Sequence, residues 1–271
     1  MLAPAEATVS VLDAGFLLGD GLFESLRATR GVPYLLDRHL ARLTAEAHEI
    51  GFHGVPAPPA LAELVYATLD RAALEDAYLR ITVTRGRTPA PLEPFIGPAT
   101  IVIAALPAPE AIAAGRGVSV SPVGARSDRS AQAKSTSRQG AVLAKRDLPG
   151  VNVDEGIFVS DDGLVLEGIS SNLFIVEDGV LLTPTTDCCL PGITRARVLE
   201  LAAQAGIEFA ETNLQLERVE IAREVFVTNA VQGVRAVAIF DARPLPTPEP
   251  GSIYRRLHDL YEADRLSLRR K

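Results

Sequence analysis

The sequence predicts an α+β fold that is divided into two domains. Three observations support this prediction. Strand-like runs mix with two helical runs in residues 1–106, Pro, Ala and Gly dominate residues 107–116, and strands recur among helices in residues 117–271. The chain has 271 residues, of which 47% are hydrophobic, and this allows each domain a core of its own. We therefore expect a small N-terminal α+β domain, a linker and a larger C-terminal domain.

The elements of the N-terminal domain follow from side-chain periodicity and from turn residues. A turn is expected at Gly15. Asp37 is expected to cap the first helix, and Gly51 to end it. The pattern as a whole predicts strands at 7–12 and within 21–35, helices at 37–50 and 58–73, and strands at 78–84 and 99–106.

Short strand-like runs recur between helical runs in the C-terminal domain. Thr194 is expected to cap a helix that runs to Ala205, because Gly206 lies just past its last periodic residue. The pattern predicts strands at 117–122, 155–160, 164–167, 172–176, 180–183, 207–211, 224–228 and 234–240, and helices at 139–147, at 194–205 and from 252 onwards.

The composition excludes several kinds of partner. The formal net charge is −7 and the pI is about 5.2. Nucleic acids and anionic membranes both require basic surface, so we expect neither as a partner. Residues 1–30 lack the pattern of a signal peptide, and no apolar run reaches the roughly 18 residues that a membrane span needs. We expect a cytoplasmic protein that acts on a small molecule.

Cysteine and histidine do not show a metal-binding pattern. Cys188 and Cys189 are adjacent, so they are poorly placed to bond each other, and their spacing is not that of a zinc site. The four histidines form no ligand pattern either. The sequence predicts neither a metal site nor a disulfide framework.

Lysine is rare in this chain, which makes each lysine informative. It occurs only at Lys134, Lys145 and Lys271, so 24 of the 27 basic residues are arginine. Arginine cannot replace lysine where a neutral amine must attack a carbonyl group. Lys271 is the last residue, and Lys145 lies at the expected end of a helix, where a cation is favourable. Lys134 therefore stands out as a candidate reactive amine.

Six motifs accompany Lys134 in a characteristic order, from residue 13 to residue 233. With them the chain resembles the class IV (fold type IV) pyridoxal-phosphate enzymes, which comprise branched-chain aminotransferases, D-amino-acid aminotransferases and aminodeoxychorismate lyase. The resemblance implies pyridoxal phosphate as cofactor, a small-molecule amine as substrate, a homodimer, and a small α/β sandwich domain beside a larger β-barrel-like domain with flanking helices. The motifs are DAGFLLGDGLFE (13–24), RHLARL (38–43), KSTSRQGAVLA (134–144), EGISSNLF (167–174), LPGITR (190–195) and VFVTNAVQG (225–233).

The resemblance assigns a role to each matching residue. Lys134 matches the lysine that forms a Schiff base with the cofactor, and Glu167 matches the acid that pairs with the pyridine nitrogen. A helix that begins near Thr194 also suits an anion, because its first N–H groups and its dipole are positive. The matching phosphate contacts are Arg42, Ile193, Thr194 and the last phosphate loop at Asn229 and Ala230, and Ser171 and Asn172 match residues beside the ring.

The candidate substrate-binding residues are matched by less specific motifs than the candidate cofactor-binding residues. Ser25 falls where the lyase has a threonine that assists proton transfer, and Arg27 matches an arginine on the substrate side. Arg80 and Arg85 are further candidates for binding a substrate carboxylate. Because five residues separate these two on one strand, we expect them to point to opposite faces.

A few positions discriminate among the branches of the family. Ser25 and Ala230 favour the lyase, which splits 4-amino-4-deoxychorismate into 4-aminobenzoate and pyruvate. Leu18 replaces the tyrosine of branched-chain enzymes. However, residues 87–94 lack the arginine-rich loop common in lyases, and Ser137 replaces the usual asparagine. We predict the lyase; the alternatives are an aminotransferase that uses D-amino or branched-chain amino acids with a 2-keto acid acceptor, and a non-catalytic scaffold.

Overall fold

The computed structural model describes residues 2–3, 5–89, 97–110, 118–124, 133–149 and 153–270. The chain divides into two compact units, each of which mixes helices and strands. The first unit comprises Met1–Pro109, Ala133–Arg138 and Leu268–Lys271, and the second comprises Glu110–Gln132 and Gln139–Ser267.

The elements follow each other along the chain in this order. The helices are α1 (Ala14–Leu18), α2 (Leu36–Glu49), α3 (Pro58–Ala72), α4 (Gln139–Arg146), α5 (Ile193–Gln204), α6 (Leu216–Ile221) and α7 (Ile253–Ser267). The strands are β1 (Gly21–Thr29), β2 (Val32–Pro33), β3 (Ala77–Thr84), β4 (Thr100–Pro107), β5 (Val118–Gly124), β6 (Glu155–Val159), β7 (Leu164–Gly168), β8 (Asn172–Glu177), β9 (Val180–Thr183), β10 (Phe209–Glu211), β11 (Leu214–Gln215), β12 (Glu224–Asn229), β13 (Gly233–Phe240) and β14 (Arg243–Pro244).

The first unit is built on an antiparallel sheet with the order β2-β1-β3-β4. Alternate residues of β1 and β3, such as Leu26 and Ile81, are fully buried, and α2 and α3 supply buried leucines and valines to the same core. Side chains alternate between the faces of a strand. The other face of the β1–β3 pair therefore carries Phe23, Ser25, Arg27, Tyr78 and Arg80.

The segment that contains Lys134 extends this sheet at one edge of β1. Strand β2 pairs only with Ala28 and Thr29, at the far end of β1. At the near end, the backbone N–H of Phe23 donates to the carbonyl of Lys134 (2.9 Å), and the N–H of Thr136 donates to the carbonyl of Gly21 (2.7 Å). The backbone at Lys134 is therefore held by the same strand that carries Ser25 and Arg27.

Three predictions for the first unit are wrong. Residues 7–12 do not form a strand, since none of the described strands pairs with them and several of their apolar side chains are exposed. Gly15 lies inside helix α1, which Asp13 caps by accepting a hydrogen bond from the Gly15 N–H (2.8 Å). Asp37 lies in the first turn of α2, where a carboxylate still suits the helix dipole, and the N-cap residue is Leu35.

The second unit contains a longer sheet with the order β10-β9-β8-β12-β13-β5-β6-β7-β11, and β14 adds to β13. Its apolar core includes Ile157, Leu173, Ile175 and Phe240, which are nearly inaccessible to solvent. On β8 and β12, Phe174 and Phe226 stack with a ring separation of 5.0 Å. Helices α5 and α7 pack on each other, α5 contacts β12, and α7 contacts β12 and β13.

The predicted cap of α5 is wrong by two residues. The N-cap is Gly192, so Thr194 lies in the first turn of the helix and does not cap it. The end of the helix is as predicted, because Ala205 is the C-cap and Gly206 follows with a φ of 67°. The short elements α6, β11 and β14 were not predicted, since runs of two to six residues carry too little periodicity.

Some predictions fall partly outside the described residues. Strand β4 ends at Pro107, at the start of the predicted linker, and residues 111–116 of that linker lie outside the described part of the chain. Residues 90–94 of the loop at 87–94, and residue 117 of the next strand, also lie outside it. Among the helices that are described, none has the length and apolar character needed to cross a membrane.

Candidate active site

The side chain of Lys134 lies over an aromatic ring of the first unit. Its Nζ is 4.8 Å from the centre of the Phe23 ring. The guanidinium of Arg80 also contacts this ring, with Cζ 3.8 Å from the centre. An aromatic face attracts both cations and shields them in part from water. Phe23 therefore gathers the candidate reactive amine and one candidate carboxylate-binding arginine around one ring.

Ser25 and Tyr78 form a hydroxyl pair next to this cluster. Their oxygens are 3.0 Å apart. The register of β1 and β3 places Ser25 opposite Arg80 and Arg27 opposite Tyr78, so the four residues form a square on one face. Tyr78 was not predicted as a site residue, although its position two residues before Arg80 on the same strand indicates a shared face.

Arg27 has a buried donor that an anion could accept from. Its Nε is buried and has no hydrogen-bond partner within the described residues. A buried N–H donor without a partner is costly, so such a group commonly serves a ligand. Arg27 and Arg80 lie on one diagonal of the square, and the hydroxyl pair lies on the other.

Arg85, the third candidate arginine, has a structural role. It follows β3, and its Nε and Nη2 donate to the two carboxylate oxygens of Asp20 (2.6 and 3.2 Å). Its Nη1 donates to the carbonyls of Ile50 and Gly51 (2.8 and 3.3 Å). These donors hold the end of α2 beside β1, and substrate binding by Arg85 stays a prediction.

A buried charge cluster lies on the opposite face of β1. Glu24 is 0% exposed; its carboxylate accepts hydrogen bonds from Nε and Nη2 of Arg42 (2.7 and 2.9 Å) and lies 2.7 Å from Nδ1 of His39. Burial alone would raise the pKa of Glu24, but His39 and Arg42 lower it to about 2. The bidentate pair fixes the orientation of Arg42, the predicted phosphate-binding residue.

Glu46 links helix α2 to the lysine segment. Its carboxylate accepts a hydrogen bond from the backbone N–H of Lys134 (3.2 Å). Burial raises the pKa of Glu46, and the hydrogen bond from Lys134 opposes this. The lysine is thus held from two sides, by β1 through its carbonyl and by α2 through its N–H. The sequence carried no signal for Glu46, because the contact spans 88 residues.

The second unit brings Glu167, Asn172 and the segment 190–194 together. A carboxylate oxygen of Glu167 accepts a hydrogen bond from the Leu190 N–H (3.0 Å), and the amide of Asn172 donates to the Leu190 carbonyl (2.9 Å). A Cβ on Gly192 would come within 1.9 Å of Oδ1 of Asn172, so only glycine fits there. Glu167 and Asn172 therefore set the conformation of the chain that enters α5.

The start of α5 offers backbone donors to an anion. No side-chain cap satisfies the first N–H groups of this helix, and both Ile193 and Thr194 lie in its first turn. Thr194 is buried, and its side chain hydrogen-bonds the hydroxyl of Tyr261 on α7. The predicted anion site at this helix start therefore survives the correction of the cap, because the donors are backbone groups.

The predicted loop at Asn229 and Ala230 follows β12 directly. Oδ1 of Asn229 accepts hydrogen bonds from the N–H groups of Val231 and Gln232 (3.0 and 2.7 Å), which shapes a tight turn. One residue earlier, Oγ1 of Thr228 is buried and has no hydrogen-bond partner within the described residues. Thr228 pairs with Asn172 across β8 and β12, so this hydroxyl lies beside the Glu167 cluster.

Ser171 hydrogen-bonds both the backbone of Gly168 and the buried side chain of Glu155. Its hydroxyl donates to Glu155 (3.1 Å), as does the hydroxyl of Ser170 (2.6 Å). Its carbonyl accepts a hydrogen bond from the N–H of Gly168 (2.6 Å). Ser171 therefore orders the turn between Glu167 and Asn172.

Cys188 and Cys189 are free thiols. Burial raises the pKa of the Cys189 thiol to about 12, so this thiol is unreactive at neutral pH. Within the described residues, no group of three or more His, Cys, Asp or Glu side chains is arranged to hold a metal ion.

Comparison with known proteins places the chain in a family. The model of the class IV amino-transferases matches residues 21–240. A protein of Methanocaldococcus jannaschii, provisionally named a branched-chain-amino-acid aminotransferase, is 35% identical over 95% of this chain and 91% of its own. The solved 4-amino-4-deoxychorismate lyase of Pseudomonas aeruginosa superposes with a TM-score of 0.83 and is 31% identical, covering 95% of this chain and 96% of its own.

A third similar structure is a branched-chain aminotransferase of Thermoproteus uzoniensis, crystallised with norvaline. It has a TM-score of 0.87 and 28% identity, and the match covers 96% of this chain and 90% of that one. The fold and site thus define a pyridoxal-phosphate-dependent enzyme, a lyase or an aminotransferase. The chain belongs to the class IV aminotransferase family, and the predicted family, fold class and enzyme class are confirmed.

Proposed function

We propose that this protein is a pyridoxal-phosphate-dependent lyase that converts 4-amino-4-deoxychorismate into 4-aminobenzoate and pyruvate. The observation that carries the proposal is the hydroxyl pair of Ser25 and Tyr78, 3.0 Å apart, on the sheet face that carries Phe23 and the amine of Lys134. A lyase must return a proton to its leaving group, and a hydroxyl pair is suited to relay one.

The residues of the chain fit pyridoxal phosphate. The uncapped start of α5 would supply backbone donors for the phosphate, and the buried hydroxyl of Thr228, which directly precedes the predicted loop at Asn229 and Ala230, has no hydrogen-bond partner within the described residues. In the first unit, the resemblance assigns phosphate binding to Arg42, which Glu24 orients, and covalent attachment of the cofactor to Lys134. Ser171 and Asn172 would act through the backbone around Glu167.

When bound, the cofactor accepts the electrons left behind when a proton leaves the amine-bearing carbon. The amine of Lys134 takes that proton from the substrate. Glu167, which accepts a hydrogen bond from the Leu190 N–H, would stabilise the protonated form of the ring nitrogen of the cofactor. Ser25, paired with Tyr78, returns a proton to the enolpyruvyl group as its C–O bond breaks, and this yields pyruvate.

Arg27 and Arg80 suit a substrate with two carboxylates. Both lie on the sheet face that carries the hydroxyls of Ser25 and Tyr78, and the buried Nε of Arg27 has no hydrogen-bond partner within the described residues. The proposed substrate has one carboxylate on its ring and one on its enolpyruvyl group. Each arginine can bind one of them, with the hydroxyls of Ser25 and Tyr78 between.

An aminotransferase is the second candidate, and the 35% identity to the archaeal protein favours it. It would use Lys134, Glu167 and the phosphate contacts in the same roles. The difference lies in the last proton transfer, which would go to the cofactor and require a 2-keto acid as acceptor. Ser25 would then have no part in the reaction.

One assay separates the candidates. The purified protein, incubated with 4-amino-4-deoxychorismate and no keto acid, is expected to release fluorescent 4-aminobenzoate. The Ser25→Ala variant should release it about tenfold to a hundredfold more slowly, since it lacks the relay hydroxyl. Turnover that appears only after a 2-keto acid is added would instead identify an aminotransferase.

Glu167→Gln is expected to lower kcat by about a hundredfold. The amide oxygen of glutamine can still accept the Leu190 N–H, so the local fold should persist, but a neutral amide cannot hold the proton on the ring nitrogen. Steady-state kinetics at saturating cofactor measures the effect. Asp162→Asn, at an exposed acid of the same unit, is the control and should leave kcat unchanged. A Glu167→Gln enzyme with wild-type kcat would remove Glu167 from the mechanism.

A further inference from the structure

Tyr261 on helix α7 touches both segments that are proposed to bind the cofactor phosphate. Its hydroxyl hydrogen-bonds the side chain of Thr194, in the first turn of α5. Its ring packs against Gly233, where a Cβ would come within 3.0 Å of the ring atom Cε1. Gly233 pairs with Asn229 and closes the turn at 229–233. One side chain, only 1% exposed, therefore joins two segments that are far apart in sequence.

Helix α7 is held firmly in this place. One turn along α5 from Thr194, Nε and Nη2 of Arg197 donate to both carboxylate oxygens of Asp264 (2.9 and 2.8 Å). His258 of the same helix lies 3.1 Å from the carbonyl of Val234. These contacts tie α7 to α5 and to β13 on both sides of Tyr261, so the phenol has a fixed position between them.

The chemistry of the two hydroxyls assigns a direction to their hydrogen bond. A phosphate accepts hydrogen bonds and donates none when it is fully ionised, so a threonine that binds it must give its own hydrogen to the phosphate. The threonine oxygen can then accept from the phenol. Burial raises the pKa of Tyr261 and the hydrogen bond with Thr194 lowers it; because burial is the larger effect, the phenol stays protonated and can donate at neutral pH.

We propose that Tyr261 is a positioning residue for the cofactor phosphate, which directs the hydroxyl of Thr194 and holds the start of α5 against the turn at 229–233. The inference rests on the proposed use of pyridoxal phosphate. It concerns only the phosphate group. Contacts to the ring of the cofactor and the reactivity of Lys134 do not depend on it.

Tyr261→Phe tests the proposal, because it removes the hydroxyl and keeps the ring that packs on Gly233. The variant should bind pyridoxal phosphate about tenfold more weakly, as expected for the loss of one hydrogen bond to a phosphate-binding group. Pyridoxal, which lacks the phosphate, should bind both proteins equally. Binding is measured by visible absorbance as each compound is titrated into protein freed of cofactor.

Tyr254→Phe is the matched control. Tyr254 is a buried phenol on the same helix, but it packs against Phe226 and His258, away from Thr194. It should leave both affinities at their wild-type values.

Three results would overturn the proposal: an unchanged affinity for pyridoxal phosphate in Tyr261→Phe, an equal loss for pyridoxal, or the same loss in Tyr254→Phe. A wild-type protein that takes up no pyridoxal phosphate would overturn the proposed function itself, and this inference with it.

Discussion

Replacing Lys134 with alanine is expected to abolish catalysis, with kcat falling by about a thousandfold or more. In the proposed mechanism this amine both holds the cofactor and takes the proton from the substrate. None of the surrounding arginines can replace it, because a guanidinium stays protonated. Release of 4-aminobenzoate measures the loss. Borohydride reduction followed by mass spectrometry gives a second readout, since the wild-type peptide around residue 134 should gain the mass of the cofactor less one water plus two hydrogens, and the variant peptide should not.

Lys145→Ala is the matched control for this experiment. Lys145 lies in the last turn of α4 and donates to the backbone carbonyls of Val153 and Asp154. Its loss should leave kcat and covalent labelling unchanged. Cofactor attached to Lys145, or an active Lys134→Ala enzyme, would contradict the assignment. A protein that stays colourless when cofactor is added would point to the non-catalytic scaffold.

Glu24→Gln is expected to lower the free energy of unfolding by about 3 kcal/mol. The carboxylate is 0% exposed and compensates the charge of Arg42, whose side chain is only 13% exposed. A neutral amide removes the negative charge that faces Arg42 at the shortest distance. Urea denaturation at neutral pH measures the change. Asp70→Asn is the control, because Asp70 makes the same two-bond contact with Arg270 at the surface and should cause no measurable loss.

The contribution of Glu24 to the free energy of unfolding should decrease as the pH falls. Burial opposes ionisation, yet His39 and Arg42 lower the pKa from 4.5 to about 2. Because folding lowers this pKa, the contribution is complete above pH 4.5 and disappears as the pH falls from 4.5 to 2, a change of about 3 kcal/mol. The stabilities of the wild-type protein and of Glu24→Gln should therefore converge over this range. A constant difference between them would show that the charge of Glu24 is not the cause.

Much of the fold was predictable because long elements carry a clear period. The helix at 58–73 and the strands at 78–84 and 99–106 match α3, β3 and β4 within one or two residues. The errors have two physical causes. Local patterns do not reveal pairing: residues 7–12 alternate like a strand, but none of the described strands pairs with them. A cap is decided by backbone conformation at a single residue, as the cases of Asp37 and Thr194 show.

The site was predictable in its residue types and less so in its contacts. The motifs predict roles for Lys134, Glu167 and Arg42 that stay predictions, and Arg85, which the sequence could not separate from Arg80, donates to Asp20. Glu46 and Tyr261 were missed because each meets its partner across a long stretch of chain. The homodimer and the cytoplasmic location stay predictions.

The route of the chain to Lys134 has a consequence for how the protein is assembled during synthesis. Residues up to Pro109 leave the ribosome first, then β5 of the second unit, and only afterwards the segment 133–138, which returns to the first unit. Until then the N–H of Phe23 and the carbonyl of Gly21 lack the backbone groups that later bind them. A fragment cut at Pro109 would expose this strand edge, which invites aggregation. The N-terminal sheet therefore lacks its candidate reactive amine until residues 133–138 have been synthesised.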